Sequence, residues 1–288
     1  MNNMQKVWVC GANGRVGQQI VKLLEPSYAE VFCTDKDSVD ITVPEAVSGF
    51  AELNRPHYII NCAGMTDVTA CEKNIEEAFK VNALGARNLS VAARKINAKL
   101  VQLSTDDVFD GEQQIPYNEF DVARPQSIYG KSKLAGENFV KELSPKHIIV
   151  RSSWIYGTGD NYVNMILKEA KEGTEIRAAV DQIASPTSAL RLAEKMLELM
   201  EHAPDGLYHV TGQGYCSRYE FAKEILELAG LKAKLTPVTG KQDELTVMRP
   251  SYSVLDNLML RMSEIECLPD WKESLKEYIQ IRMQKENN

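Results

Sequence analysis

The chain has 288 residues, 44% hydrophobic and 25% charged, with a formal net charge of −7 and a pI near 5.3. That length holds one large domain or two modest ones, and the composition excludes a disordered tail, a collagen-like fibre and a disulfide miniprotein. An acidic chain with no Lys/Arg-rich run argues against a nucleic-acid partner or an anionic membrane surface, and no apolar run reaches the ~18 residues of a membrane span.

The polar lead over residues 1–6 lacks the long apolar core and small-residue cleavage site of a signal peptide. An apolar strand is expected over 6–10 and a helix over 18–24. Further strands are expected over 30–34, 58–62, 100–104 and 148–151. Between them, residues 75–94 read as one or two helices and 132–143 as another. Strands that are apolar without polar alternation fit a parallel sheet covered on both faces. Alternation of β and α elements makes this a doubly wound α/β fold. Beyond Trp154 the pattern loosens. Strands are expected over 175–180, 207–210 and 234–237, and helices over 187–200 and 218–229. A loop over 240–250 precedes two terminal helices, 257–262 and 271–283. No linker separates the halves. Residues 1–154 are therefore expected to bind a dinucleotide, and 155–288 mainly the substrate, with some segments returning to pack on the first domain.

The six cysteines, Cys10, Cys33, Cys62, Cys71, Cys216 and Cys267, form no CxxC pair. They are expected to be free thiols in a reducing, cytoplasmic compartment, and no metal site is expected.

The first strand runs into Gly11-Ala12-Asn13-Gly14-Arg15-Val16-Gly17. Gly11 allows a tight turn, Gly14 a close approach of backbone to a pyrophosphate, and Gly17 close helix–strand packing. The helix opening there offers unpaired N–H groups and a positive dipole end to phosphates. Asp35 ends the second strand and is placed to accept adenosine ribose hydroxyls. Lys36 follows and favours a 2′-phosphate, so the choice between NADH and NADPH stays open.

Tyr129 and Lys133 stand four apart at the start of a helix and share a face. An ammonium beside a phenol favours the phenolate, which would lower the Tyr129 pKa and make it a usable proton donor to a carbonyl under reduction. The strand ending Ser104-Thr105-Asp106 brings Thr105 to the ligand crevice of such a sheet, where its hydroxyl can bond the same carbonyl oxygen.

Together with Asn61-Cys62-Ala63-Gly64 and Val81-Asn82, these motifs resemble the extended short-chain dehydrogenase/reductases. Asp40-Ile41-Thr42, Val108-Phe109-Asp110-Gly111, Arg151-Ser152-Ser153-Trp154, Ser185-Pro186-Thr187 and Arg249-Pro250 narrow the resemblance to the dTDP-4-dehydrorhamnose reductases. The resemblance runs in order along nearly the whole chain. It implies a Rossmann-type domain with a smaller C-terminal α/β substrate domain, and reduction by NADPH or NADH of the C4 ketone of a dTDP-bound deoxyhexulose. It implies Thr105, Tyr129 and Lys133 as catalytic residues. It implies Thr105, Asp106, Trp154 and Arg249 as sugar contacts, and Asp40, Ile41, Ala63, Gly64 and Met65 along the cofactor. Asp107 stands where the family usually has Tyr. Gln19 and Leu190 stand where some members carry the glutamates of a metal-bridged dimer, so a monomer or weak homodimer without that metal is expected. Another nucleotide-sugar reductase or epimerase, or a non-catalytic subunit resembling the methionine adenosyltransferase β subunit, remain as alternatives.

Overall fold

The computed structural model describes residues 4–24, 29–239 and 249–286. Residues 1–3 of the polar lead and most of the loop expected over 240–250 lie outside the described residues.

Five strands build the N-terminal sheet: β1 (Gln5–Cys10), β2 (Ala29–Thr34), β3 (Tyr58–Asn61), β4 (Lys99–Thr105) and β5 (His147–Ser152). A sixth, Gly206–His209, comes from the C-terminal half and pairs with β5. From one edge the order is β2-β1-β3-β4-β5 and then Gly206–His209, all parallel. Chain direction across the sheet reverses between β1 and β3, which opens a crevice beyond their carboxyl ends.

The lack of polar alternation has a direct cause, because both faces are covered. Val7, Val9, Ile60, Val101, Ile148 and Val150 face one core with Ile20 of α1 (Arg15–Leu23) and Leu192, Met196 and Leu199 of α8 (Ala189–His202). Trp8, Cys10, Ile59, Leu100 and Ile149 face the other, against α2 (Pro44–Asn54), α5 (Gly85–Ile96) and α6 (Ile128–Leu143). Successive residues of one strand thus feed two cores.

A third core sits in the C-terminal half. There Tyr156, Ile166, Phe221, Ile225, Trp271 and Leu275 join α7 (Tyr162–Glu172), α9 (Arg218–Ala229) and the helix Trp271–Glu286. Short pairings finish this half: Ile155–Tyr156 with Thr187–Ser188, and Ile176–Ala179 with Leu235–Val238. The helix expected from 187 therefore starts at Ala189, because Thr187 and Ser188 pair as strand.

Two short helices follow β3, namely α3 (Val68–Lys73) and α4 (Ile75–Phe79). Between α4 and α5, Lys80–Leu84 forms a π-helical turn. Such turns often mark functional sites. Here the turn aims Asn82 inward. Its Oδ1 accepts the Met65 N–H at 2.8 Å, and its Nδ2 donates to Met65 O at 3.0 Å and to Ser132 Oγ at 2.9 Å. One buried amide thereby fixes the loop after β3 to α6.

Candidate active site

The glycine loop folds as the turn chemistry requires. Gly11 has φ of +73°, and a Cβ there would lie 2.6 Å from Ala63 N; at Gly17 it would lie 2.2 Å from Gly11 O. The helix α1 starts at Arg15, three residues before the expected 18, and its N-cap Gly14 offers no side-chain cap. Its first-turn N–H groups are left to face the crevice. A cavity of about 450 Å³ opens there, lined by Gly11, Gly14, Asp35, Asp40, Ile41, Ala63, Gly64 and Met65. Both Asp35 carboxylate oxygens accept the Asn13 N–H, at 3.1 and 3.3 Å, which ties the end of β2 to the glycine loop. Lys36 lines the same cavity and lies 3.8 Å from Glu77. An uncapped helix end, small residues and a carboxylate at the far wall fit a dinucleotide.

Not every residue of the glycine motif faces that cavity. Ala12 and Val16 are buried in the core beneath α1. Arg15 turns the other way. Its guanidinium donates to the carbonyls of Ile155, Thr158 and Asp160, and so anchors the segment after β5 across the crevice.

A second cavity, of about 490 Å³, shares Cys62, Ala63 and Gly64 with the first. Thr105, Asp106, Tyr129, Lys133, Trp154 and Arg249 all line it. Tyr129 lies in the first turn of α6, which starts at Ile128 rather than the expected 132. Ser127 caps that turn by accepting the Gly130 N–H at 3.0 Å. Tyr129 and Thr105 line this cavity together, and the Thr105 hydroxyl donates to Asp106 Oδ1 at 3.2 Å. The other Asp106 oxygen accepts from Ser253 at 2.5 Å. Burial and neighbouring Asp107 push the Asp106 carboxyl up to about 7. Two buried hydroxyls lining this cavity, of Ser152 and Tyr156, have no hydrogen-bond partner among the described residues.

The electrostatics differ from the expectation drawn from Lys133. Burial pushes the Tyr129 phenol up, and the Asp107 and Asp106 carboxylates push it further; the neighbouring Thr105 hydroxyl and Arg249 pull it back. Lys133 donates to Leu103 O at 2.6 Å, and burial brings its ammonium down to about 8. The reversal comes first from burial and then from Asp107, a buried carboxylate where the family usually has Tyr. Arg249 Nη1 meets it at 2.6 Å.

Trp154 holds φ at +43°, in the left-handed region that a bulky residue rarely occupies. Its ring lies under the Arg218 guanidinium, 3.6 Å from the ring centre, and Tyr162 stacks on that guanidinium at 4.6 Å. Sequence reasoning placed Arg218 on a helix without bringing it to the site. Ser253, Ser152 and Tyr156 were missed in the same way. Cys62 lies in the crevice wall, but burial pushes its thiol up to about 12, so it is no nucleophile near neutral pH. All six cysteines are free thiols. Among the described residues, no cluster of His, Cys, Asp or Glu could hold a metal ion, and no helix is long and apolar enough to cross a membrane.

Residues 4–283 match the family model described as the RmlD substrate binding domain. The chain belongs to this family, the dTDP-4-dehydrorhamnose reductase family. A curated relative is the spore coat polysaccharide biosynthesis protein SpsK of Bacillus subtilis, 38% identical over 97% of this chain and 98% of that protein. A solved dTDP-4-dehydrorhamnose reductase from Clostridium acetobutylicum superposes with a TM-score of 0.95 at 44% identity, covering 97% of this chain and all of that one. Another, from Bacillus anthracis in complex with NADP, superposes at 0.93 with 40% identity over 95% of this chain and 98% of that one. Fold class and family thus agree with the sequence reading, and the family's reductases use the nicotinamide cofactor for which the first cavity has the shape.

Proposed function

We propose that the chain reduces the C4 ketone of dTDP-4-dehydro-6-deoxy-L-mannose to dTDP-L-rhamnose with NADPH or NADH. The observation that carries this reading is the convergence of Thr105, Tyr129 and Lys133 on one cavity that shares its wall with the one over the glycine loop.

The nicotinamide, when bound, supplies a hydride to C4. Thr105 holds the C4 oxygen, and Tyr129 donates a proton to it as the carbonyl electron pair collects there. Lys133 binds the nicotinamide ribose and sets the local charge. Asp106 and Trp154 position the sugar, Trp154 from one face and Asp106 at its hydroxyls, with Arg249 at the rim. Gly11, Gly14, the α1 N-terminus, Asp35, Asp40, Ile41 and Ala63–Met65 hold the dinucleotide. Asp35 favours NADH and Lys36 favours NADPH, so both serve, with at most a mild preference for NADH. Residues 1–154 form the cofactor domain and 155–288 most of the substrate domain, with α8 and Gly206–His209 lent back to the first. The enzyme works in the cytoplasm, as six free thiols suggest, as a monomer or weak homodimer without a bridging metal.

The test is NAD(P)H oxidation against dTDP-4-dehydro-6-deoxy sugars and their UDP and GDP relatives. Oxidation with the dTDP-L-sugar at a kcat/KM at least tenfold above the others supports the reading. No oxidation with any of them contradicts it.

A further inference from the structure

Four cationic side chains line the second cavity: Arg15, Lys133, Arg218 and Arg249. Three have acceptors. Arg15 donates to three backbone carbonyls, Lys133 to Leu103 O, and Arg249 to Asp107. Among the described residues, the Arg218 guanidinium has no hydrogen-bond acceptor and no carboxylate within salt-bridge distance. Asp106 acts on it only through space, its oxygens taken by Ser253 and Thr105.

Stacking decides what this group can do. The guanidinium carbon lies over both the Trp154 ring, at 3.6 Å from its centre, and the Tyr162 ring, at 4.6 Å. A guanidinium held by its faces keeps its five N–H donors free around the edge, in a geometry that suits phosphate oxygens. Arg218 is half-buried, and a half-buried cation without a counter-charge is partly desolvated at a cost that an anion entering the cavity removes. A neutral sugar ring brings none. The diphosphate of a nucleotide sugar does.

We propose that Arg218 binds the diphosphate of the nucleotide-sugar substrate and sets the preference for nucleotide-linked over free sugars, an inference that rests on the reading under Proposed function. Trp154 then has two jobs, flanking the sugar and holding Arg218 at the right angle. Arg218 takes no part in the proton transfer, so its loss should raise KM for the substrate far more than it lowers kcat.

The experiment titrates dTDP and thymidine into the full-length, NADP-loaded protein by calorimetry, for wild type, Arg218→Gln and Arg218→Lys. Thermal unfolding and NADP affinity are measured alongside as the check on folding. Arg218→Gln is expected to bind dTDP at least fivefold more weakly with thymidine unchanged, and Arg218→Lys to recover part of the loss. A loss below fivefold, or equal losses for dTDP and thymidine, overturns the proposal while leaving the reductase reading intact. If Arg218→Gln does not fold, Arg218→Lys decides alone, with dTDP weakened at least twofold and thymidine unchanged as the supporting result and any other overturning it. A wild-type protein that binds none of dTDP, UDP and GDP overturns the nucleotide-sugar reading and this inference with it.

Discussion

Arg249 closes on Asp107 at 2.6 Å, and the Asp107 carboxylate it holds is, after burial, the largest influence raising the Tyr129 phenol. The ion pair thus connects the segment beyond residue 248 to the group proposed to donate the proton. Asp107 is buried while Arg249 is 41% exposed, so the pair is fixed at one end and open at the other. Replacing Asp107 with Asn removes a charge with little change in shape. The Tyr129 phenol should then ionise more readily, and the alkaline limb of the kcat/KM profile should move to lower pH. An unmoved limb would separate Asp107 from the titration of Tyr129.

Tyr129→Phe should keep cofactor binding and lose about 10²–10⁴-fold in kcat, the usual worth of a general acid. The ring packs with Val68, Cys71 and Ala78 and survives the change. A Phe variant with more than half of wild-type kcat would remove Tyr129 from the chemistry.

Lys133→Met should raise KM for the cofactor and lower kcat together, since one ammonium serves ribose binding and local charge. Its hydrogen bond to Leu103 O is lost as well. Cofactor KM and kcat both within twofold of wild type would contradict these roles.

Asp35→Ala should shift kcat/KM toward NADPH, because it removes a ribose acceptor and a charge that repels a 2′-phosphate. The variant also releases the Asn13 N–H, so cofactor affinity should fall overall. The ratio of kcat/KM for the two cofactors is the readout, and an unchanged ratio would place Asp35 away from the adenosine ribose.

Stability should fall in mild acid for a reason outside the site. His209 is wholly buried, its Nδ1 is bonded to the carbonyls of Tyr117 and Asp256, and Arg151 stands 3.5 Å from Nε2. Burial and the Arg151 charge push it down from 6.5 to about 3. The native protein therefore keeps His209 neutral while the unfolded chain protonates. The stabilisation is complete above pH 6.5 and is lost as pH falls toward 3, at up to about 1.4 kcal/mol per pH unit. Chemical denaturation at pH 7.5 and 5 should show this drop in wild type and a shallower one in His209→Gln. Equal slopes would assign the acid sensitivity to other groups.

The parallel sheet was legible because both of its faces are buried, so Val7-Trp8-Val9-Cys10 and Ile148-Ile149-Val150 carry an unbroken apolar signal. The glycine loop was legible because Gly11 and Gly17 answer steric demands that no other residue meets. Helix α2 was not, since it buries only Val47 and Ala51 and carries Gly49 at its middle. Helix α7 was missed although it buries Val163, Ile166, Leu167 and Ala170, because its N-cap Asn161 follows the irregular segment after β5. In the site, Thr105, Tyr129 and Lys133 announced themselves by spacing along a strand end and a helix turn. Arg218 could not, because its place over Trp154 depends on two segments brought together only by the third core. The direction of the Tyr129 shift was misjudged for the same reason. Spacing shows Lys133 four residues away, but neither the burial of the phenol nor Asp107, which reaches it from another element.

The most direct test uses cofactor deuterated at the transferring position of the nicotinamide, with dTDP-4-dehydro-6-deoxy-L-mannose and the wild-type protein, and reads the product by proton NMR. The account predicts one deuterium at C4 of the sugar, in the rhamno configuration, for each cofactor oxidised. Deuterium at another carbon, a product epimeric at C4, or sugar turnover without cofactor oxidation would contradict it.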